Sequence, residues 1–213
     1  FAAFARLHTL NLNGCCCLPV GDAAFTHLSA LHTLLLNDWC QECDADNGGL
    51  DNDEPALSDA AFTHLTSLHT LSMSRRIATV ADGRWSANRF TDAIFRHLTS
   101  LRHLDVACTS FSDAAFTTPA LQQLHTFIVD DCPITGIAFA HMTSLTHLSI
   151  ANCVDISDDA FTRLSQLQHL VMAWPTQSPQ LTDNVFVHLP ALRIVDMSGA
   201  SRFTDRAFAH LAR

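Results

Sequence analysis

Apolar residues return along this chain at a fixed cadence. One phenylalanine recurs at Phe1, Phe25, Phe62, Phe95, Phe116, Phe139, Phe161, Phe186 and Phe208. After it the apolar positions keep constant offsets, as in Leu65, Leu68, Leu71 and Met73, or Met142, Leu145, Leu148 and Ile150. The fifth segment is shifted by two residues and reads Leu121, Leu124, Phe127 and Val129. The third anchors are Leu10, Leu34, Leu71, Leu104, Phe127, Leu148, Leu170 and Val195, separated by 24, 37, 33, 23, 21, 22 and 25 residues. A period in the low twenties, lengthened twice by insertions, predicts a solenoid. No single unit can bury its apolar face, so neighbouring units supply each other's core.

Each unit reads as a short helix followed by a strand. A Ser or Thr precedes the helical stretch at Ser58, Thr91, Ser112, Ser157, Thr182 and Thr204, where a hydroxyl can accept from a free helix amide. One residue earlier stands an apolar side chain (Leu57, Phe90, Phe111, Ile156, Leu181 or Phe203), paired with the Phe five positions on as a hydrophobic staple. An Asp after the cap, such as Asp59 or Asp92, suits the positive helix end. The strand follows in segments such as LHTLSM, where apolar and polar residues alternate around Leu71 and Met73. Stacked units pair these strands in parallel, about 4.8 Å apart.

The segments LHTLNLNGC (7–15), LHTFIVDDC (124–132) and LTHLSIANC (145–153) resemble the leucine-rich repeat consensus. With ISDDAF or LTDNVF nearby, the closing Cys resembles the cysteine-containing subclass, which is often found beside F-boxes in ubiquitin-ligase substrate receptors. No F-box is recognisable in these residues, and several units depart from the Cys, with Trp39, Arg76, Pro175 and Ala200 in its place and Cys108 one residue early. The resemblance implies an α/β solenoid, a leucine-rich repeat horseshoe of about eight units. It covers residues 1–213 as a single repeat domain, with loop insertions at about 38–56 and 75–90. Because Phe1 falls in mid-repeat, the chain is expected to be a piece of a longer protein.

Charge narrows the partner. The 21 acids outnumber 12 bases, all of them Arg, for a formal charge of −9. That balance argues against nucleic acid, which needs a basic stripe, and favours a basic or polar protein. No apolar run is long enough to span a membrane. Cysteines that follow the repeat suggest free buried thiols and hence an intracellular, cytoplasmic protein. No nucleophile elbow, phosphate-binding glycine loop or zinc-protease motif occurs, so no enzyme is expected.

The thirteen His also follow the repeat. His27, His64, His97, His141, His188 and His210 fall near helix C-termini on the convex side, where a protonated ring is favoured. His8, His32, His69 and His125 straddle the strand start, while His103, His147 and His169 lie one residue later and point into the concave face. A stacked pair such as His147 and His169 offers a metal reading beside the plain one. Protonating all thirteen would move the formal charge from −9 to +4. Affinity for a basic partner is therefore expected to fall between about pH 7 and 5.5.

Two cation readings arise at the insertions. Cys15, Cys16 and Cys17, with Cys40 and Cys43 of the next unit, supply enough thiolates for a tetrahedral zinc site, against the plainer alternatives of reactive thiols or a local disulfide. DADNGGLDNDE (44–54) is similar to a calcium loop, but Gly48 and Pro55 break the required pattern, leaving a solvated acidic loop as the alternative. The second insertion is basic, with Arg75, Arg76, Arg84 and Arg89 around Trp85. No other cofactor is expected.

In the leucine-rich repeat pattern, the residues between and after the strand leucines face the concave side. Here these are Asn11, Asn13, Asn37, Asp38, Ser72, Arg75, Asp105, Asp130, Asp131, Asn152, Trp174 and Asp196, joined by His103, His147 and His169. The expected function is protein recognition through this sheet and the adjacent loops. A structural solenoid inside a larger assembly, or a metal-binding array on Cys15–Cys43, are the alternatives.

Overall fold

A computed structural model describes residues 4–15, 20–39, 57–75, 90–173 and 180–211. Eight three-residue strands lie side by side in chain order: β1 (Thr9–Asn11), β2 (Thr33–Leu35), β3 (Thr70–Ser72), β4 (His103–Asp105), β5 (Thr126–Ile128), β6 (His147–Ser149), β7 (His169–Val171) and β8 (Ile194–Asp196). All pairs are parallel and keep one register, so each repeat position forms a straight column across the sheet, such as Leu10↔Leu34 and Leu34↔Leu71.

Pairing continues beyond the strands. The amides of Leu12 and Gly14 donate to Leu35 O and Asn37 O of the next unit, both at 2.8 Å. At the other end, one carbonyl takes two amides, as His8 O does from His32 N (2.8 Å) and Thr33 N (2.9 Å). Three residues of formal strand are thus held by a longer ladder.

The return segments are mostly 3-10 turns, such as Asp59–His64, Asp92–His97 and Asp183–His188. Asp113–Phe116 (α1) and Asp205–Leu211 (α2) are α-helical. A unit of 21 to 25 residues leaves room for one or two helical turns, and the 2.0 Å rise of a 3-10 helix covers the distance with fewer residues. Among the caps, the hydroxyls of Ser58, Thr91 and Thr182 accept from the amide two residues on at 3.2 Å, and that of Thr204 does so at 3.3 Å. Ser112 and Ser157 make no such bond, contrary to the expectation for every unit.

The core is a spine of phenylalanines above the sheet leucines. Phe25, Phe62, Phe95, Phe116, Phe139, Phe161 and Phe186 are buried, as are Leu34, Leu71, Leu104, Phe127, Leu148 and Leu170 beneath them. The expected staple works mainly between units. Phe111 packs on Phe95 of the preceding unit at 5.1 Å between ring centres, closer than the 6.2 Å to its own Phe116. Phe90 on Phe62 (5.0 Å) and Phe203 on Phe186 (5.5 Å) repeat the contact. Phe208, expected in the same buried column, is 57% exposed.

The Asp after the cap has, at Asp22, Asp59, Asp113, Asp158 and Asp183, a role beyond its place at the helix end. Its carboxylate reaches across to the cap of the next unit. Asp22 takes the Ser58 amide (2.7 Å) and hydroxyl (2.6 Å), and Asp158 takes the Thr182 amide (2.8 Å) and hydroxyl (2.5 Å). Asp59 with Thr91, and Asp183 with Thr204, make the same pair of bonds. The bonds from Thr204 hold the Asp183 carboxyl below its usual range. In the sixth unit this Asp is replaced by Gly136, at φ +85°, where an added Cβ would lie 2.7 Å from Ala160 Cβ. Close contact stands there in place of a carboxylate clasp.

Candidate functional site: the open face of the sheet

The core leucine in the middle of each strand turns its two neighbours to the opposite face, away from the helical segments. The first column of that open face is Thr9, Thr33, Thr70, His103, Thr126, His147, His169 and Ile194. The second is Asn11, Leu35, Ser72, Asp105, Ile128, Ser149, Val171 and Asp196 in the same registers. Leu35, Ile128 and Val171 are half-buried and Ile194 is 56% exposed. Polarity alone does not mark these apolar residues as part of the face. Strand alternation alone would have found them.

Most of the expected polar residues on this face are already occupied. Asn13 Oδ1 accepts the Asn37 amide at 2.8 Å. Asn37 Oδ1 accepts from the Ser72 hydroxyl (2.6 Å) and from the amide and hydroxyl of Ser74 (both 2.9 Å). Asp105 accepts the Ala107 amide at 3.1 Å, and its Oδ2 lies 3.0 Å from the same Ser72 hydroxyl, whose single proton it shares with Asn37. Asp130 Oδ1 takes the Ser149 hydroxyl at 2.6 Å and the Ala151 amide at 2.7 Å, and Asp131 Oδ1 takes the Asn152 side-chain amide at 2.5 Å. Asn11 and Asp196 bond two residues ahead within their own turns, to the Asn13 amide (3.0 Å), and to the Ser198 amide (2.9 Å) and hydroxyl (2.6 Å). Asn13, Asn37, Asp105, Asp130 and Asp131 thus join units to one another, while Asn11 and Asp196 brace their own turns.

Their ionisation follows the same geometry. Burial raises the Asp130 pKa, partly opposed by the bonds from Ser149 and Ala151. Asp196 is exposed, and the Ser198 bonds lower its pKa. Partial burial lowers the His103 pKa, and the nearby rings of His125, His147 and His69 push it the same way.

Beyond six of the eight strands (β1, β2, β4, β5, β6 and β8) the chain turns through a left-handed residue at one repeat position. Gly14 (φ +65°), Asp38 (+53°), Cys108 (+59°), Asp131 (+56°), Asn152 (+60°) and Gly199 (+74°) occupy it. Gly, Asn and Asp tolerate this region, whereas Cys does not share their advantage. Cys108, one residue short of the ladder position where the repeat's closing Cys falls, yet expected with Cys132 and Cys153 as an inert buried thiol, is therefore the turn residue. It is half-buried, with Sγ 3.8 Å from Asp131 Oδ2, and burial and that carboxylate push its pKa up to about 12. Thr109 fills the ladder position instead, donating to Val106 O at 2.6 Å. Cys132 and Cys153 do take that position, donating to Val106 O (3.2 Å) and Val129 O (3.1 Å). Burial raises both pKa values, that of Cys153 to about 12.

Other sequence candidates fall at or beyond the edge of the described residues. Of the cysteines read as zinc ligands, Cys15 is described, as a half-buried free thiol. Cys16, Cys17, Cys40 and Cys43, Trp174, the calcium-like loop and most of both insertions lie outside them. Arg75 is half-buried at the start of the second insertion. Among the described residues no three His, Cys, Asp or Glu side chains converge as a metal site. His147 and His169 meet edge to face, 5.3 Å between ring centres. No helix among these residues is long and apolar enough to cross a membrane.

No family model matches this chain. No curated protein matches it either. Solved structures do. An internalin (inlF) from Listeria monocytogenes aligns over 99% of this chain and 60% of its own, with 19% identity and a TM-score of 0.59. A TLR13–ssRNA13 complex aligns over 85% of this chain and 26% of its own, with 17% identity and a TM-score of 0.56. The chain thus spans less than two thirds of either protein, and at such identities the likeness concerns the fold alone. Eight parallel strands in one open sheet, backed by short helices and similar to these two leucine-rich repeat proteins, make the fold an α/β leucine-rich repeat solenoid.

Proposed function

We propose that this chain is a non-enzymatic recognition module that binds a protein across the open face of its sheet. The observation that carries the reading is the composition of that face. Half-buried Leu35, Ile128 and Val171, on β2, β5 and β7, are separate apolar contact points among Thr, Ser and His side chains, the mixed apolar and polar make-up of a non-obligate protein interface. The formal charge of −9 favours a protein over nucleic acid, although the TLR13 structure holds single-stranded RNA. The buried thiols of Cys132 and Cys153 fit the cysteine-containing subclass and a reducing, intracellular setting.

A second reading, packing within a larger assembly, draws on Ile137 (67% exposed) and Val187 (54% exposed) in the helical segments. Affinity capture from source-cell lysate separates the two readings. One bait is the wild type, a second carries Thr33→Arg with Ile128→Arg, and a third carries Ile137→Arg with Val187→Arg. A partner lost only by the second bait supports recognition through the sheet. A partner lost only by the third supports packing.

A further inference from the structure

The ionisable groups of the open face differ in availability. The carboxylates of Asp105, Asp130, Asp131 and Asp196 lie at or beyond the C-terminal ends of their strands and are engaged by hydroxyls and amides. The imidazoles occupy the opposite rim, at the N-terminal ends. His8, His32, His69 and His125 immediately precede strands, and His103, His147 and His169 begin them.

Local bonds fix how three of these rings are presented. Nδ1 lies 2.7 Å from Ala30 O in His32, 2.7 Å from Ser67 O in His69 and 2.9 Å from Gln123 O in His125. A carbonyl only accepts, so in each neutral ring Nδ1 carries the proton and Nε2 keeps its lone pair. Protonation then adds a second N–H donor at Nε2, away from the backbone bond. Successive rings are in contact: His8 with His32 and His32 with His69 at 5.0 Å, and His147 with His169 at 5.3 Å. His103 is linked to the next strand through Thr126 Oγ1 at 3.0 Å.

Arg102 and Arg193 occupy the same repeat position as His8, and neither of the two rim columns contains a carboxylate. The facing charged groups are Asp105 on β4 and Asp196 on β8, the latter close enough to His169 to feel its charge. Beside His103 stand the imidazoles of His69, His125 and His147, and the Thr146 hydroxyl lies 3.0 Å from His147 Nδ1.

We propose that this histidine rim is the docking edge for an acidic segment of the protein partner, engaged as the imidazoles protonate. This rests on the open face being the recognition surface, and it reverses the charge first expected of the partner. A basic partner would need available carboxylates, whereas Asp105, Asp130 and Asp131 tie repeats together and Asp196 is held by Ser198 of its own turn. Each ring that protonates adds a positive charge and an Nε2 donor to a rim whose columns carry no carboxylate, and an opposing carboxylate is drawn to both. Binding and protonation are therefore linked, and affinity rises as pH falls. A peptide fits better than a nucleic acid because the half-buried Leu35, Ile128 and Val171 adjoin the rim and the opposite rim is acidic.

The test is fluorescence anisotropy of a labelled octaglutamate peptide, and of an oligothymidylate of matched length, at pH 7.5 and 5.5. The Glu carboxylates stay largely ionised over this range. The peptide should bind at least about tenfold tighter at pH 5.5. That gain should shrink in His125→Gln/His147→Gln/His169→Gln, which removes three of the seven rim imidazoles, and persist in full in the helical-side control His27→Gln/His64→Gln/His97→Gln, both checked for folding by circular dichroism. Equal affinity at the two pH values, or a gain undiminished in the first triple variant, overturns the proposal. Tighter binding of the oligothymidylate overturns it in favour of a nucleic-acid edge. If the proposal falls while the sheet-face bait still loses its partner at pH 7.5, recognition through the face stands without an acid-strengthened rim.

Discussion

Asp113 Oδ2 accepts both the amide and the hydroxyl of Thr135, each at 2.8 Å, and so ties the fifth unit to the sixth. The other oxygen takes the Gly136 amide at 3.2 Å. Similar clasps recur between other units, with their donors and acceptor one repeat apart. In a solenoid the stability of the whole depends on such nearest-neighbour terms.

Asp113→Ala should therefore destabilise the chain by about 2 kcal/mol, since three donors lose a charged acceptor. Asp113→Asn should cost less because one oxygen remains. Urea unfolding followed by circular dichroism reads both values, and equal midpoints for wild type and Asp113→Ala would remove the clasp from the account.

Gly136→Ala should be at least as harmful. The backbone stands at φ +85°, and the new methyl would approach Ala160 Cβ at 2.7 Å. Left-handed strain and overpacking together predict a loss of about 2–4 kcal/mol. Pairing it with Ala160→Gly should recover the steric part but not the strain.

Asp130→Asn should raise the urea midpoint at pH 7. Both bonds to Asp130 go to Oδ1, which an Asn also possesses, and Asn37 already makes comparable contacts. The folded-state pKa is raised, so ionisation opposes folding, and this penalty grows as pH rises through that pKa. The gain should fade as pH falls below the unfolded value of 3.8, where wild-type Asp130 is protonated in both states. A lower midpoint for the variant at pH 7 would show that the charge itself matters there.

Cys132 and Cys153 should resist alkylation in the folded chain at pH 8. They are buried and donate to backbone carbonyls, and burial pushes the Cys153 thiol up to about 12, so almost no thiolate forms. Half-buried Cys15 should label faster. Peptide mapping after brief iodoacetamide treatment gives the order, and urea should abolish the difference.

The repeat was readable from sequence because burial forces apolar residues to recur: Leu34, Leu71 and Leu104 stand in one buried column as their spacing predicts. What could not be read lies between repeats. Asp59 looks like a helix-end acid until Thr91 of the next unit is placed beside it. Cys108 looks like a ladder thiol until its left-handed φ shows Thr109 in that position. The face suffered from selection by polarity, which admitted Asp130, a tie between units, and passed over Ile128, whose alternation with Phe127 already marked it as outward.

The central claim is that the sheet, rather than the helical side, meets the partner. A photo-crosslinking amino acid at Thr33 on the sheet, or at exposed Arg163 on the helical side, tests this most directly. The account predicts a partner adduct from position 33 and none from 163. An adduct from 163 alone would contradict it.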